Sequence, residues 1–261
     1  MPVIAINLTH GTGTEVDRFA VATIPHLNFK PAIAYDCIYP EYSIDDPALM
    51  TKLAPNQTRY YVSIDAVNHV IEAATSVAAN PLSIAFGVET IRLVAKYLPK
   101  AIENPEDVKA RYALLYASMI AGSGFDNGLL HYTHALEHPL SGMKPDLTHG
   151  LGLAILLPAV ILECYPARAK VFAELLAPVV PGLKGEPDEA KVAASGVEKW
   201  LASVGVPEKL KDAGFTKEDI EPLCKLALET PSLGGLLGCA PVPSSPERIK
   251  RIYTNSFAPI A

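Results

Sequence analysis

From residue 46 onward the sequence repeats one pattern: apolar residues at spacings of three and four, bracketed by Pro, Asp, Thr or Ser at the start and mostly by Gly or Pro at the end. That spacing lines up apolar side chains on one face of a helix, and the bracketing residues are those that start and stop helices. "DPALMTKLA" opens the series. "DAVNHVIEAATSVAA" (65–79), "PLSIAFGVETIRLVAKYLPKAI" (81–102) and "PEDVKARYALLYASMIAGSG" (105–124) follow, with Ile91, Val94, Ala95 and Leu98 on one face. "LGLAILLPAVILECY" (151–165) and four later segments continue to the C-terminus without an internal repeat. The first residues read differently. "PVIAIN" (2–7), "RFAVATI" (18–24) and "KPAIAYD" (30–36) are short apolar or β-branched runs separated by "GTGT" and "PHLN", and they are predicted to be strands. "YPEYSIDDPAL" breaks that pattern. The chain is therefore predicted to be mainly α: an all-helical bundle of eight to ten helices over 47–261, preceded by a short α/β segment over 1–46.

Apolar residues make up 49% of the 261 and charged residues only 19%, enough apolar material for a large core and a covered surface. A homo-oligomer is expected. The apolar run at 149–162 carries a proline and is shorter than a bilayer span, so no membrane crossing is expected. A net charge of −6 without a Lys/Arg cluster leaves no footprint for nucleic acid. Cys37, Cys164, Cys224 and Cys239 form no CxxC pair, which excludes a thiolate zinc site and a disulfide framework. The N-terminus lacks the basic region of a signal peptide, and a cytoplasmic protein is expected.

Four of the seven histidines, His131, His134, His138 and His149, fall within nineteen positions. His134 and His138 stand at i and i+4 on a predicted helix, and so do Asp65 and His69 upstream, which places each pair on one face. His149 starts the next helix. Packing of these helices can bring Asp65, His69, His134 and His149 together as three nitrogens and one oxygen around a divalent cation. His131 has no partner at such spacing and is expected to be satisfied by a backbone carbonyl.

Asp65-Ala-Val-Asn-His69 followed by Ile71-Glu72-Ala73, then His134-Ala-Leu-Glu-His138-Pro-Leu-Ser-Gly142 and His149-Gly150, resemble the iron-containing (group III) alcohol dehydrogenases. The resemblance implies Asp65, His69, His134 and His149 as metal ligands and His138 as an additional histidine at the site. "GTGTEVDRFAV" (11–21) is similar to the family's cofactor loop, implying contacts from Thr9, Gly11, Thr12 and Gly13. Leu8 and His10 there replace a threonine and a small residue, and Thr148 replaces a proline before the last ligand. By the same resemblance, residues 1–46 are the tail of a dinucleotide-binding domain.

A Rossmann-type site needs a strand, a Gly-rich turn, a helix N-terminus and an acid roughly 20 positions on. "GTG" offers a strand and glycines but another strand is predicted next, while "GSG" (122–124) and "GLG" (150–152) lie among helices, where close packing explains them. The short chain is thus expected to bind its ion, to turn over alcohol poorly or not at all by itself, and to expose an apolar edge. The resemblance implies NAD(P)-linked oxidation of a small-molecule alcohol, or reduction of an aldehyde, with the ion as Lewis acid. It favours Fe2+, while the ligand set also suits Zn2+. His138 is placed to relay the alcohol proton, and Glu72 to order a ligand imidazole. Two other readings fit the residues: a non-catalytic metal-binding helical protein, and a metal-dependent hydrolase with Glu137 or Glu72 as base.

Overall fold

A helix with no polar face has to be surrounded. The segment from His149 is such a helix, and in this computed structural model, which describes residues 2–58 and 63–260, it forms the centre of the bundle. Helix α6 (His149–Cys164) runs on through a 3-10 turn to Ala167, so the helical stretch is nineteen residues, longer than the segment 151–165 read from the sequence by two residues at each end. Its length and composition would suffice to cross a membrane, but 72% of it is buried inside the protein, as in a core helix.

Around it pack α2 (Ile64–Thr75), α5 (Tyr132–Met143), α8 (Ala190–Ser203) and α11 (Pro246–Asn255), and α2 in turn lies against α3 (Pro81–Glu103), α4 (Val108–Gly128) and α7 (Ala169–Leu176). Helices α9 (Ile220–Glu229) and α10 (Leu233–Gly238) close over α5. A three-residue turn, α1 (Pro55–Gln57), precedes them all. Among the described residues this makes ten helices of six or more residues, a mainly α protein as expected. Their starts follow local chemistry. Asn80 and Ser83 form a reciprocal capping box at α3, the Asp107 carboxylate accepts from the Ala110 amide at α4, and the Ser245 hydroxyl accepts from the Arg248 amide at α11. Residues 47–50, read as α-helical from the sequence, are a 3-10 turn capped by Asp46.

The strands are short and form two separate pairs. β1 (Ile4–Ile6) runs parallel to β4 (Tyr42–Ile44), and β2 (Phe19–Val21) is antiparallel to β3 (Ala32–Ala34). β4 lies in the stretch read as a break, because "EYSIDD" lacks an apolar run. The β1–β4 pair leaves Ile4 60%, Ile6 56% and Tyr42 67% exposed, the apolar edge expected at this end.

Contacts along α4 help to fasten this N-terminal segment to the bundle. Arg111 of α4, fully buried, has no carboxylate partner among the described residues. It donates instead to Thr58 Oγ1 (2.8 Å), to the Pro105 carbonyl (3.0 Å) and, at 3.0 Å, to His10 Nε2. Gly13, at φ +66°, sits directly on Gly122 of α4: a Cβ on Gly13 would come within 2.6 Å of the Gly122 Cα, and one on Gly122 would run into the Gly13 carbonyl. The "GSG" of the sequence is thus a close packing of loop on helix. Gly122→Ala should destabilise by about 1–3 kcal/mol, the usual cost of overpacking, read as a lowered denaturation midpoint. An unchanged midpoint would mean that the loop is not seated on α4.

Candidate metal centre

All twelve residues of α2 are buried, which forces its polar side chains to find partners inside the protein. Asp65 and His69, one turn apart, face His134 of α5 and His149 at the first position of α6. The Nε2 atoms of His69, His134 and His149 lie 3.2, 3.4 and 4.0 Å from Asp65 Oδ1. The His69 and His134 rings are nearly parallel at 4.8 Å, and His149 meets His134 edge-on at 5.4 Å. Asp65, His69 and His134 each offer one ligand atom within 4.8 Å of the others, close enough to hold one ion.

The other ring nitrogens decide what this cluster can do. His134 Nδ1 donates to Glu72 Oε2, and His149 Nδ1 donates to Glu137 Oε2. A neutral imidazole that donates from Nδ1 keeps a lone pair on Nε2. Two such lone pairs therefore point toward the Asp65 carboxylate, an arrangement of acceptors that calls for positive charge between them. Each carboxylate is itself fixed. Glu72 Oε1 accepts from the backbone amides of His131 (3.2 Å), Thr133 (2.6 Å) and His134 (3.3 Å), so it caps the start of α5 while its second oxygen orders His134. Glu137 fits because residue 152 is glycine: a Cβ there would lie 2.8 Å from Glu137 Cγ.

Electrostatics agree. Burial by itself would lower the His134 pKa, but the flanking Glu72 and Asp65 carboxylates carry it up to about 9. Burial opposes ionisation of Asp65, yet the three histidines hold its pKa down at about 2. His69, also ringed by histidines, is pushed down to about 4, chiefly by burial. The centre thus favours one positive charge beside His134, supplied by a proton or by a cation.

A second group, Glu137, His138 and His149, also has metal-like spacing, but an ammonium already stands there. Lys30 Nζ lies 3.4 Å from Glu137 Oε2 and 3.3 Å from His149 Nδ1 and donates to Ser141 Oγ at 2.8 Å. Lys30 was not a candidate from the sequence. It comes from the turn before β3, 107 positions from Glu137, and nothing local marked it. His138 is buried with its ring 5.8 Å from that of His149, and burial drives its pKa down to about 3. His131 is not held by a backbone carbonyl: its Nδ1 accepts from the Tyr132 amide (2.7 Å) and its Nε2 donates to Thr75 Oγ1 (3.0 Å).

The centre opens into a cleft of about 520 Å³ walled by β2, β3, the end of α4 and α10. Apart from the centre, Lys30 and a few hydroxyls, its lining is apolar. Thr12 lines it, Thr9 is exposed, and Gly11 and Gly13 are buried beneath the loop. The glycines lead only into a 3-10 turn, Thr14–Val16.

Comparison with known proteins gives a consistent set of matches. Residues 60–257 match the C-terminal part of the Fe-containing alcohol dehydrogenase family. The chain is 62% identical over 256 residues to a long-chain primary alcohol dehydrogenase of Thermoanaerobacter ethanolicus, covering 98% of this chain and 64% of that protein. It is 36% identical over 232 residues to an NAD-dependent methanol dehydrogenase of Bacillus methanolicus, covering 88% of this chain and 60% of that one. Among solved structures, a 1,3-propanediol oxidoreductase superposes with a TM-score of 0.89 at 31% identity, over 98% of this chain and 66% of that one.

Two outcomes follow from the geometry. His134→Ala should lose most of the bound divalent metal by elemental analysis, whereas His131→Ala should retain it; full metal in the first variant would remove His134 from the ligand set. In chelator, stability should depend on pH through the buried neutral histidines. Burial lowers His10 to about 3 and His131 to about 4 from 6.5, so the unfolded chain takes up protons that the folded one refuses. Their contribution is complete above pH 6.5 and lost as the pH falls toward 4. His134, raised to about 9, has the opposite sign: its contribution is present below pH 6.5 and lost as the pH rises through 9. An unfolding temperature that does not fall between pH 6.5 and 4 would contradict the neutral burial of His10 and His131.

Proposed function

The chain belongs to the Fe-containing alcohol dehydrogenase family, and we propose that its helical part, residues 47–261, carries the metal centre of an NAD(P)-linked enzyme that interconverts a small-molecule alcohol and its aldehyde. The ligands are Asp65, His69, His134 and His149. Supporting this reading above all is the convergence of three Nε2 atoms on Asp65 Oδ1, with His134 and His149 each held from behind by a carboxylate. Fe2+ is the resident ion in this reading, and Zn2+ suits the same donors. When bound, the ion supplies Lewis-acid polarisation of the substrate oxygen.

The chain's own residues do the rest. Asp65 brings a carboxylate that lowers the net charge of a centre otherwise built from neutral rings. Glu72 and Glu137 fix the orientation and tautomer of two of those rings. His138, buried and neutral, takes the hydroxyl proton at one nitrogen and passes one from the other, so no charge accumulates in the apolar cleft. The cleft walls exclude water from the carbon that gives up or takes hydride. In residues 1–46 the Thr9–Gly13 loop faces the dinucleotide through Thr9 and Thr12, while the buried Gly11 and Gly13 let the loop sit close on α4. Four free thiols, Cys37, Cys164, Cys224 and Cys239, suit the cytoplasm.

The hydrolase reading is weaker on a specific ground: Glu72 and Glu137, its candidate bases, are both committed to histidines and amides. The chain spans 64% of the relative it matches at 62% identity, and the glycines of the Thr9–Gly13 loop are followed by a three-residue turn, which gives a pyrophosphate no helix N-terminus. Binding of NADH or NADPH should therefore be weak in calorimetry, and micromolar affinity would reveal a cofactor site elsewhere. The test of function is aldehyde reduction by metal-loaded protein at saturating NADH or NADPH. Hydride transfer that stops on chelation is expected. His138→Ala should keep its metal while losing rate and altering the pH profile. A protein with one ion per chain that binds NADH or NADPH by calorimetry and still transfers no hydride would overturn the proposal.

A further inference from the structure

The junction between α4 and α5 is strained. Leu129 has φ 62° and ψ 156°, a conformation that crowds the Cβ of an L residue and is populated almost only by glycine. The surroundings hold it there. The Leu129 amide donates to the Phe125 carbonyl at 2.7 Å, Ser76 Oγ donates to the Gly128 carbonyl, and the His131 amide is held by Glu72. Gly128, the residue before, is in contact with α2, where a Cβ would meet the Ala73 carbonyl at 2.5 Å. Among the described residues only Asn28, Leu129 and Ser232 are non-glycines at positive φ, and two of these three line the cleft. Ser232 starts α10 on the facing wall, where its hydroxyl accepts from the Ala32 amide of β3 at 3.0 Å. Backbone strain that persists this way collects where a side chain is needed in a particular place.

The place in question is the apolar wall of the cleft. Phe125, Leu129 and Leu130 come to it from the end of α4, and Leu236 and Cys239 from α10; none carries a charge. Asp65, Lys30 and the histidines line the same cleft, and the Phe125 ring stands 4.4 Å from that of His69, so the apolar wall begins beside the polar centre. A ligand with one hydroxyl and an alkyl tail matches these two kinds of lining, whereas a second hydroxyl laid against the apolar wall would be buried without a hydrogen-bond partner. We infer that Leu129 is a specificity-determining residue, held in a glycine conformation so that, with Phe125, Leu130, Leu236 and Cys239, it walls an apolar arm that receives the unbranched alkyl tail of a primary alcohol or aldehyde. The inference rests on reading the cleft as the dehydrogenase active site.

Calorimetric titration of the metal-loaded chain with 1-alkanols from ethanol to 1-octanol tests it. Affinity should rise about fourfold per added methylene, the factor expected for a buried CH₂, until the arm is full, and 1,3-propanediol should bind no better than ethanol. Leu129→Gly relieves the backbone and removes the wall, so its unfolding temperature should rise while the gain per methylene falls to about twofold or less. Leu129→Ala keeps the strain and loses the wall, lowering both. Leu236→Phe should make the affinity level off at a shorter chain. A Leu129→Gly protein that keeps its metal and the full gain per methylene would overturn the inference. Hydride transfer measured on the same samples separates the two readings. Transfer with a flat chain-length profile sinks the arm and leaves the dehydrogenase, while a steep profile without transfer, in protein that calorimetry shows to hold its cofactor, sinks the dehydrogenase and leaves the arm.

Discussion

Glu72 is the contact on which the arrangement of the bundle and the centre both depend. One of its oxygens takes three amides from the start of α5, and the other takes His134 Nδ1. A fully buried carboxylate is tolerated only when its lone pairs are filled, and removal of one partner of such a group typically costs several kcal/mol. Here the same four donors cap a helix and aim a ligand ring. The position of α5 against α2 and the direction of Nε2 therefore cannot vary independently. Glu137 repeats the device between α5 and α6, with Lys30 added as a counter-charge from the hairpin. The centre is an outcome of how three buried helices satisfy one another's polar groups.

That dependence explains which parts were legible in the sequence. Asp65 with His69 and His134 with His138 could be placed on common helix faces because their spacing is local, and His149 because it begins an apolar run. The bundle itself followed from the period of the apolar residues. What stayed hidden depends on contacts between distant segments. Lys30 reaches Glu137 across 107 positions, and Glu72 orders the ring of α5 instead of its neighbour His69. β4 was missed because an exposed strand paired only at one edge carries no apolar run. α10 was missed because "SLGGLLG" looks like a loop until α9 and α5 provide a surface for Leu233 and Leu237. His131 was left outside the expected ligand set and assigned a backbone carbonyl, but its partners, a hydroxyl and an amide, depend on its being the cap of α5, which only the fold reveals.

The loop at residues 8–13 shows how the N-terminal segment is tied to the centre. His10 stands buried against Arg111, a guanidinium with no carboxylate partner among the described residues. Burial and that charge together keep the imidazole neutral, so it can accept the guanidinium hydrogen at Nε2. Three residues on, Gly13 presses onto Gly122. The loop is thus held at both ends on α4, the helix whose far end carries Phe125 and the strained Leu129. Phe125 packs its ring 4.4 Å from that of His69. One helix therefore links the loop bearing Thr12, the apolar wall of the cleft and His69 of the centre.

A cleft built this way separates two tasks that compete in a small active site. Holding a cation needs carboxylates and oriented imidazoles, which in turn need hydrogen-bond donors close by; holding an alkyl chain needs surface without donors. The protein puts donors behind the rings, in the core, as backbone amides of α5. The face turned to the cleft then presents the histidines, Asp65 and Lys30, and apolar walls begin directly beside them at Phe125. Water entering such a site finds few partners beyond the centre, so charges at the centre are poorly screened. The polar cost of the centre is met inside the bundle, and that is what permits an apolar cleft to reach as far as the ring of His69.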